Sequence, residues 1–347
     1  MSANERPGVY TSYQVTSTLA GSGSGGAVGL AACAGSGTVG QITEIGTYAE
    51  AVAAYGESSM ARLIKVLLLN GAARVIATPV LAGSGTASTA NYTAAFGVLM
   101  GSGAVRYMVC DSRDAAVHAA MKSAVAGAES EQSKYRIGIA EMSGTASALV
   151  SAAAALNCER MCLVSPAESG GTPGAVAAAV AGVIAGSPDP ALPLNGAALA
   201  GLGELGGSFS DADITVLVQG GVTPVETVGG AASVVRAVTT RTTTNSVPDG
   251  TWRELSTILI VDHVVPAVRD ALRARFARVK NTAQTRGAIR TQVVVELERL
   301  LAMEIIEAYS DVTAQADAAD PTVCDVSFAF TVAHGLNRIS LVANIRV

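Results

Sequence analysis

Charge is scarce in this sequence: 15% of its 347 residues are Asp, Glu, Lys or Arg, against ~25% in an ordinary soluble domain. So little repulsive surface charge favours association, although a large Ala-rich core would give the same composition. Aromatic residues make up only 4%. The net charge of −5 and the isoelectric point near 5.3 argue against a nucleic-acid partner for the chain as a whole. Met-Ser-Ala-Asn-Glu-Arg-Pro at the start lacks a basic, apolar signal region. The longest apolar run, residues 175–185, is well short of the ~20 residues a membrane helix needs, so no membrane insertion is expected. The five cysteines, Cys33, Cys110, Cys158, Cys162 and Cys324, are odd in number and lie in apolar surroundings, as reduced core thiols of a cytoplasmic product would. Only Cys158 and Cys162 are close in sequence, and without a second Cys or His pair nearby they do not read as a zinc site, which takes four ligands.

Catalytic patterns are missing too. Three histidines exist, His118, His263 and His334, and Asp262 next to His263 would diverge from it on a helix. No G-x-S-x-G elbow, P-loop or H-E-x-x-H occurs. The expectation is a protein that is not an enzyme, with no catalytic residues, no metal and no cofactor. Gly21, Gly23 and Gly26 do match G-x-G-x-x-G, which keeps a Rossmann-like NAD(P)-dependent oxidoreductase as the alternative. That fingerprint needs a helix directly after the glycines to receive the pyrophosphate, whereas residues 27–33 read as a buried strand.

What is present is alternation. Strands are expected at residues 27–33, 74–81, 105–110, 135–141 and 160–164. Helices are expected at 48–55, around Met60 to Leu68 with a stop at Asn70-Gly71, and at 92–100, 113–126, 146–156 and 173–185, the last with Pro173 in its first turn. Strands alternating with helices imply a three-layer α/β core with a mostly parallel sheet. Residues 187–196, with Pro188, Pro190 and Pro193, must be a loop. A helix over 211–219 and strands over 222–228 and 233–243 close the core near Asn245.

Beyond residue 246 two amphipathic helices are expected. Ile258, Val261, Val265, Val268, Leu272 and Phe276 mark the first, bent or begun at Pro266; Val294, Leu297, Leu301, Ile305 and Ala308 mark the second. Seven basic residues (Arg269, Arg273, Arg275, Arg278, Lys280, Arg286 and Arg290) against Asp270 give +6 between Pro266 and Arg290, so the rest of the chain carries −11. Such a run is either a solvated helix face or a docking surface for an acidic partner. Both chain ends alternate with the period of strands. Val9, Thr11, Tyr13 and Val15 alternate with Tyr10, Ser12 and Gln14. After a strand through Val326, Phe328, Phe330 and Val332, a last one starts at Arg338 and runs through Ile339, Leu341, Ala343, Ile345 and Val347. Such ends either complete the chain's own sheet or add to the sheet of a neighbouring molecule. The resulting division is an N-terminal arm (1–20), an α/β core (21–245), the helical part of a C-terminal α+β domain (246–325) and C-terminal strands including an arm (326–347).

In this order and spacing the chain resembles the contractile tail sheath proteins of myovirus tails, R-type bacteriocins and contractile injection systems. The matching pieces are Arg6-Pro-Gly-Val-Tyr10, Ala54-Tyr-Gly56, Asn70-Gly-Ala-Ala-Arg-Val75, Ala181-Gly-Val-Ile-Ala-Gly-Ser-Pro188 and Leu194-Asn-Gly196. Gly220-Gly-Val-Thr-Pro224, Val235-Arg-Ala-Val-Thr-Thr-Arg241 and Asn337-Arg-Ile-Ser-Leu-Val342 follow. The resemblance implies a structural subunit, made in the bacterial cytoplasm, that stacks in hexameric rings around an inner tail tube and contracts to drive the tube through a target envelope. It also implies baseplate and tail terminator partners. The inter-subunit arms would be residues 9–15 and 338–347, and the tube-facing helix would lie among Arg269, Arg273, Arg275, Arg278 and Lys280. A non-contractile self-assembling shell protein would share the arms but lack the tube.

Overall fold

The structure is a computed structural model that describes residues 26–132 and 135–337. It opens with β1 (Ala27–Ala34), β2 (Thr43–Ile45), α1 (Tyr48–Tyr55), α2 (Ser59–Leu69), β3 (Val75–Ala82), α3 (Thr89–Gly101) and β4 (Val105–Cys110). Next come α4 (Ala115–Gln132), β5 (Ile137–Glu141), α5 (Ala146–Leu156), β6 (Met161–Ser165) and α6 (Ala175–Gly186). β7 (Ala198–Leu199), α7 (Asp211–Gln219), β8 (Val222–Val228), β9 (Ala231–Val234), β10 (Thr243–Thr244) and β11 (Val247–Pro248) follow. The C-terminal lobe holds α8 (Leu255–Phe276), α9 (Ala283–Ala302), β12 (Ile306–Ala316) and β13 (Cys324–Val332).

The nine-stranded sheet runs β2-β3-β1-β4-β5-β6-β8-β9-β7. From β3 to β8 all pairings are parallel, and antiparallel strands flank them: β2 at one edge, β9 and β7 at the other. Alternate side chains separate two cores. Val28, Leu30, Val75, Ile137, Ile139, Cys162 and Val164 face α1, α2 and α6, while Ala31, Ile76, Val80, Met108, Met161 and Leu163 face α3, α4, α5 and α7. This is the expected three-layer α/β core with a mostly parallel sheet. Local side chains fix two helix starts: Thr47 and Glu50 close a reciprocal cap on α1, and Ser210 with Asp213 does the same for α7. The small residues of α6 serve close packing. A Cβ on Gly182 would lie 2.8 Å from the Leu67 carbonyl oxygen of α2, a clash that only glycine avoids.

Several local expectations change. α6 starts at Ala175 behind Gly174, whose φ of 84° and place against the Cys110 carbonyl exclude a side chain; Pro173 therefore precedes the helix instead of opening it. Residues 233–243 are not one strand. β9 ends at Val234, after which backbone amides pair elsewhere, Thr239 with the Arg253 carbonyl at 2.9 Å and Thr240 with the Met161 carbonyl at 2.8 Å. α8 neither starts nor stops at Pro266 but runs through it. The helical hydrogen bond that proline lacks is offset by burial, since Pro266 and both flanking stretches, Val264 and Val268, are packed inside. Ile305 and Ala308 are not helical: Glu304 takes a φ of 59°, the chain turns, and β12 begins at Ile306. The segment read as the helical part of the α+β domain therefore also carries one of the two strands of the C-terminal sheet.

α8 joins the two lobes. Leu255, Ile258 and Leu259 belong to the first core, and Ile260, Val264 and Val268 to a third core with Val293, Leu297, Leu300, Ile305 and Ile306. At the changeover Asp262 accepts both arms of the Arg160 guanidinium, at 2.8 and 3.0 Å. Arg160 is 1% exposed and its guanidinium lies 5.1 Å from the Tyr135 ring centre, a cation–π distance.

Candidate assembly interface

In open parallel sheets, ligands are bound beyond the carboxyl ends of the strands, where the strand order reverses. Here, with β3 on one side of β1 and β4 on the other, that place is filled by groups that satisfy one another. Asp111 takes the Cys33 amide at 2.8 Å and the Tyr92 hydroxyl at 2.6 Å. Glu141, at the end of β5, accepts from Arg113 at 2.8 Å and from the Val176 amide at 2.7 Å, so it ties α6 to the sheet. Burial, and then the Asp111 charge, push the Cys33 thiol up to about 11. Burial pushes Cys110 up to about 12 and Cys162 up to about 11. Thiols held protonated are poor nucleophiles. Cys158 and Cys162 face opposite sides of the sheet, one in each core, so they cannot share a metal. His263 has no carboxylate partner in Asp262, whose oxygens go to Arg160, and burial lowers the His263 pKa. Gly26 leads straight into β1 with no helix between, which removes the dinucleotide reading of Gly21, Gly23 and Gly26; the first two lie outside the described residues.

The C-terminal lobe offers something different. β12 and β13 form a two-stranded antiparallel sheet, and among the described residues neither outer edge has a partner strand. An isolated two-stranded sheet is marginal, and its open edges are templates for further strands. α9 supports one face of the pair through Val293, Leu297 and Leu300. β12 carries a break in register between Ser310 and Thr313, with Asp311 at a φ of 53°, and Arg290 braces it by donating to the Val312 carbonyl at 2.8 Å. Asn281, in the turn between α8 and α9, donates to the carbonyls of Pro321 and Val323, both at 2.8 Å, and so ties that turn to the loop of the β-pair.

The basic run divides by role. Arg290 and Arg286, the latter 3.0 Å from Asn281, hold the lobe together. Arg269 lies beside Asp270, and Arg275 reaches Gln292 at 2.5 Å. Arg273, on the last turns of α8, and Arg278 and Lys280, in the turn after it, are exposed and meet no hydrogen-bond or ion-pair partner among the described residues. The structure therefore gathers the five sequence-predicted residues at one end of α8 and leaves three of them as open cations. The predicted arm residues, Val9, Tyr10, Thr11, Tyr13, Val15 and 338–347, lie outside the described residues. Their roots are visible: Gly26 at the start of β1, and Asn337, which Asn195 holds at 2.5 Å. β12 was missed from sequence because Ile305 and Ala308 continue the helical spacing of α9; the signal against a helix was the β-branched run Ile305-Ile306 followed by Tyr309.

Residues 247–346 match the family model described as the phage tail sheath C-terminal domain, the part of the chain that contains α8, α9, β12 and β13. This is a tail sheath fold. The chain resembles a protein of the anti-feeding prophage baseplate at 17% identity, with 99% of this chain and 100% of that one covered and a TM-score of 0.77. It resembles the contracted helical sheath of the anti-feeding prophage at 16% identity, covering 99% of each chain with a TM-score of 0.72. The sheath tail protein of Desulfitobacterium hafniense matches at 13% identity over 94% of this chain and 100% of that one, with a TM-score of 0.71. A comparison with curated protein sequences gives no match. The sheath fold extends through core and C-terminal lobe alike, so the resemblance read from the sequence motifs holds.

Proposed function

We propose that this chain is a structural subunit of a contractile tail sheath, stacking in hexameric rings around an inner tube and contracting to drive the tube through a target envelope. The observation that carries the reading is the two-stranded β12–β13 sheet, without a partner strand at either edge among the described residues, inside the segment that matches the sheath C-terminal domain. In this reading residues 9–15 and 338–347 of neighbouring subunits add as strands to those edges, and Arg273, Arg278 and Lys280 at the end of α8 face the tube. A shared strand contributes several main-chain hydrogen bonds at ~0.5–1.5 kcal/mol each, which links neighbours while their cores reorient. The filled strand ends and protonated thiols of the core support a structural role over an enzymatic one. Baseplate and terminator proteins would cap the two ends of the array, in a phage or phage-like tail particle made in the bacterial cytoplasm.

Negative-stain electron microscopy of the purified protein, alone and with its tube protein, tests the proposal. Hollow striated cylinders are expected. Monodisperse monomers in both samples would refute it.

A further inference from the structure

A cavity of 470 Å³ lies at the amino ends of β1, β4 and β5, between the α/β core and α8. Its volume falls in the ~300–1,000 Å³ range of ligand-sized sites. Open α/β folds bind their ligands at the opposite edge of the sheet, so the lining itself has to name an occupant. Most of the wall is apolar: Ile137 of β5, Ile184 of α6, Leu192 and Leu194 of the loop that follows, and Leu259 of α8. Its polar groups fall into two sets. The carboxylates are committed, Asp262 to the Arg160 guanidinium and Asp189 to the Ala191 amide at 2.8 Å. The donors are not: Arg106, Tyr107 and His263 line the cavity without a hydrogen-bond or ion-pair partner among the described residues. Arg106 is exposed and always charged. Burial pushes the Tyr107 phenol up to about 12, so its O–H remains a donor. Burial also lowers the His263 pKa, which favours a neutral ring that still carries an N–H. Between the lining residues Tyr135 and Ile137, Arg136 is 1% exposed and donates only to the carbonyls of Met100, Ser102 and Val105. It is a second cation without an acidic partner.

We propose that this cavity binds a small organic anion with an apolar body, its acidic head on Arg106 and its body between the core and α8. The apolar wall takes hydrocarbon out of water, and donors with no acceptor of their own select a negative head over a neutral or positive one. A molecule seated there touches Tyr107 and Ile137 on the core side and Leu259 on the other. It therefore fastens the same seam that the Arg160–Asp262 pair closes.

The test is a fluorescence titration of the full-length protein with two probes of similar body, the anion anilinonaphthalene sulfonate and the uncharged N-phenylnaphthylamine. Saturable binding of the sulfonate at one molecule per chain is expected. Arg106→Gln should weaken it about five- to tenfold, as loss of a charged hydrogen bond at an exposed site does, and leave the uncharged probe unchanged. Lys122→Gln removes the same charge from α4, on the other face of the sheet, and should alter neither titration. Saturating sulfonate should also raise the urea midpoint followed by circular dichroism, because a ligand of the folded seam stabilises only the folded state. Absence of saturable binding, an Arg106→Gln titration equal to wild type, or an unmoved or lowered midpoint would each overturn the proposal. None of these outcomes depends on sheath assembly.

Discussion

Replacing Asp262 by Ala should destabilise the protein by about 3–5 kcal/mol, the range for breaking a buried ion pair from one side. Arg160 is 1% exposed, and Asp262 receives two of its N–H groups at 2.8 and 3.0 Å. The guanidinium also lies 3.5 Å from the Arg136 carbonyl and against the Tyr135 ring, neither of which carries a charge to balance its own. Without the carboxylate, a desolvated guanidinium stays behind. Trp252, the sole tryptophan, packs against the first core just before α8 and reports the seam by fluorescence during urea unfolding. For an m-value near ~3 kcal/mol/M, the midpoint should fall by at least about 1 M. The control is Arg160→Met with Asp262→Leu, which removes both charges and should recover most of the loss. A midpoint within about 0.3 M of wild type for Asp262→Ala, or a double variant as unstable as the single one, would refute the view that this pair fastens α8 to the sheet.

Deleting residues 338–347 should leave a folded subunit, with unchanged circular dichroism, that no longer assembles; sheath-like tubes in micrographs of the truncation would contradict the arm proposal. Charge reversal by Arg273→Glu and Arg278→Glu should weaken co-purification with the tube protein while sparing sheath self-assembly. Because exposed charge pairs are worth only ~0.2–1 kcal/mol each, the effect should be clearest at low salt, and an unchanged yield of tube protein there would exclude this end of α8. Burial lowers the pKa of both His118 and His263, so the unfolded chain binds more protons near its unperturbed value of ~6.5. Stability contributed by the neutral forms is therefore complete above that pH and declines as pH falls from there through the lower folded values. His118→Gln should flatten the decline measured by urea unfolding, and an unchanged slope would show that His118 does not contribute.

The α/β core was legible because its signals are local. Apolar runs at helical spacing end at stops such as Asn70-Gly71, and the buried strands read as short β-branched or small apolar runs between them. What sequence spacing could not supply was set by contacts across the chain. The residues after Val234 have strand-like composition, but their amides scatter over Pro224, Arg253 and Met161 instead of forming a continuous ladder with one strand. α9 and β12 merged in the reading because Leu297, Leu301, Ile305 and Ala308 keep a three-to-four spacing across a turn made by a single residue, Glu304, at positive φ. Pro266 read as a bend or a start because its intrinsic cost is visible in sequence, whereas the two cores that hold the helix on either side of it are not. Of the tube-facing candidates, spacing placed all five in one segment, but only the structure separates Arg275, engaged with Gln292, from the open Arg273, Arg278 and Lys280. The pairing of Arg160 with Asp262, 102 residues apart, left no local trace.

On the proposed function, the placement of stiffness follows from these contacts. Separating the core from the C-terminal lobe would expose Leu255, Ile258 and Leu259, each worth ~1.5–3 kcal/mol when buried, and would also break the Arg160–Asp262 pair at ~3–5 kcal/mol. An arm strand held by several hydrogen bonds at ~0.5–1.5 kcal/mol each is weaker, and a two-stranded acceptor sheet changes its twist more readily than a nine-stranded one buried on both faces. Load passed between subunits would therefore be taken up at the β12–β13 edges and in the arm segments, while core and lobe turn together as one body. That ranking makes Asp262→Ala informative beyond stability: if the seam were the compliant element, the variant would change the geometry of assembled sheaths, whereas a compliant arm sheet predicts fewer folded subunits that still assemble with wild-type geometry.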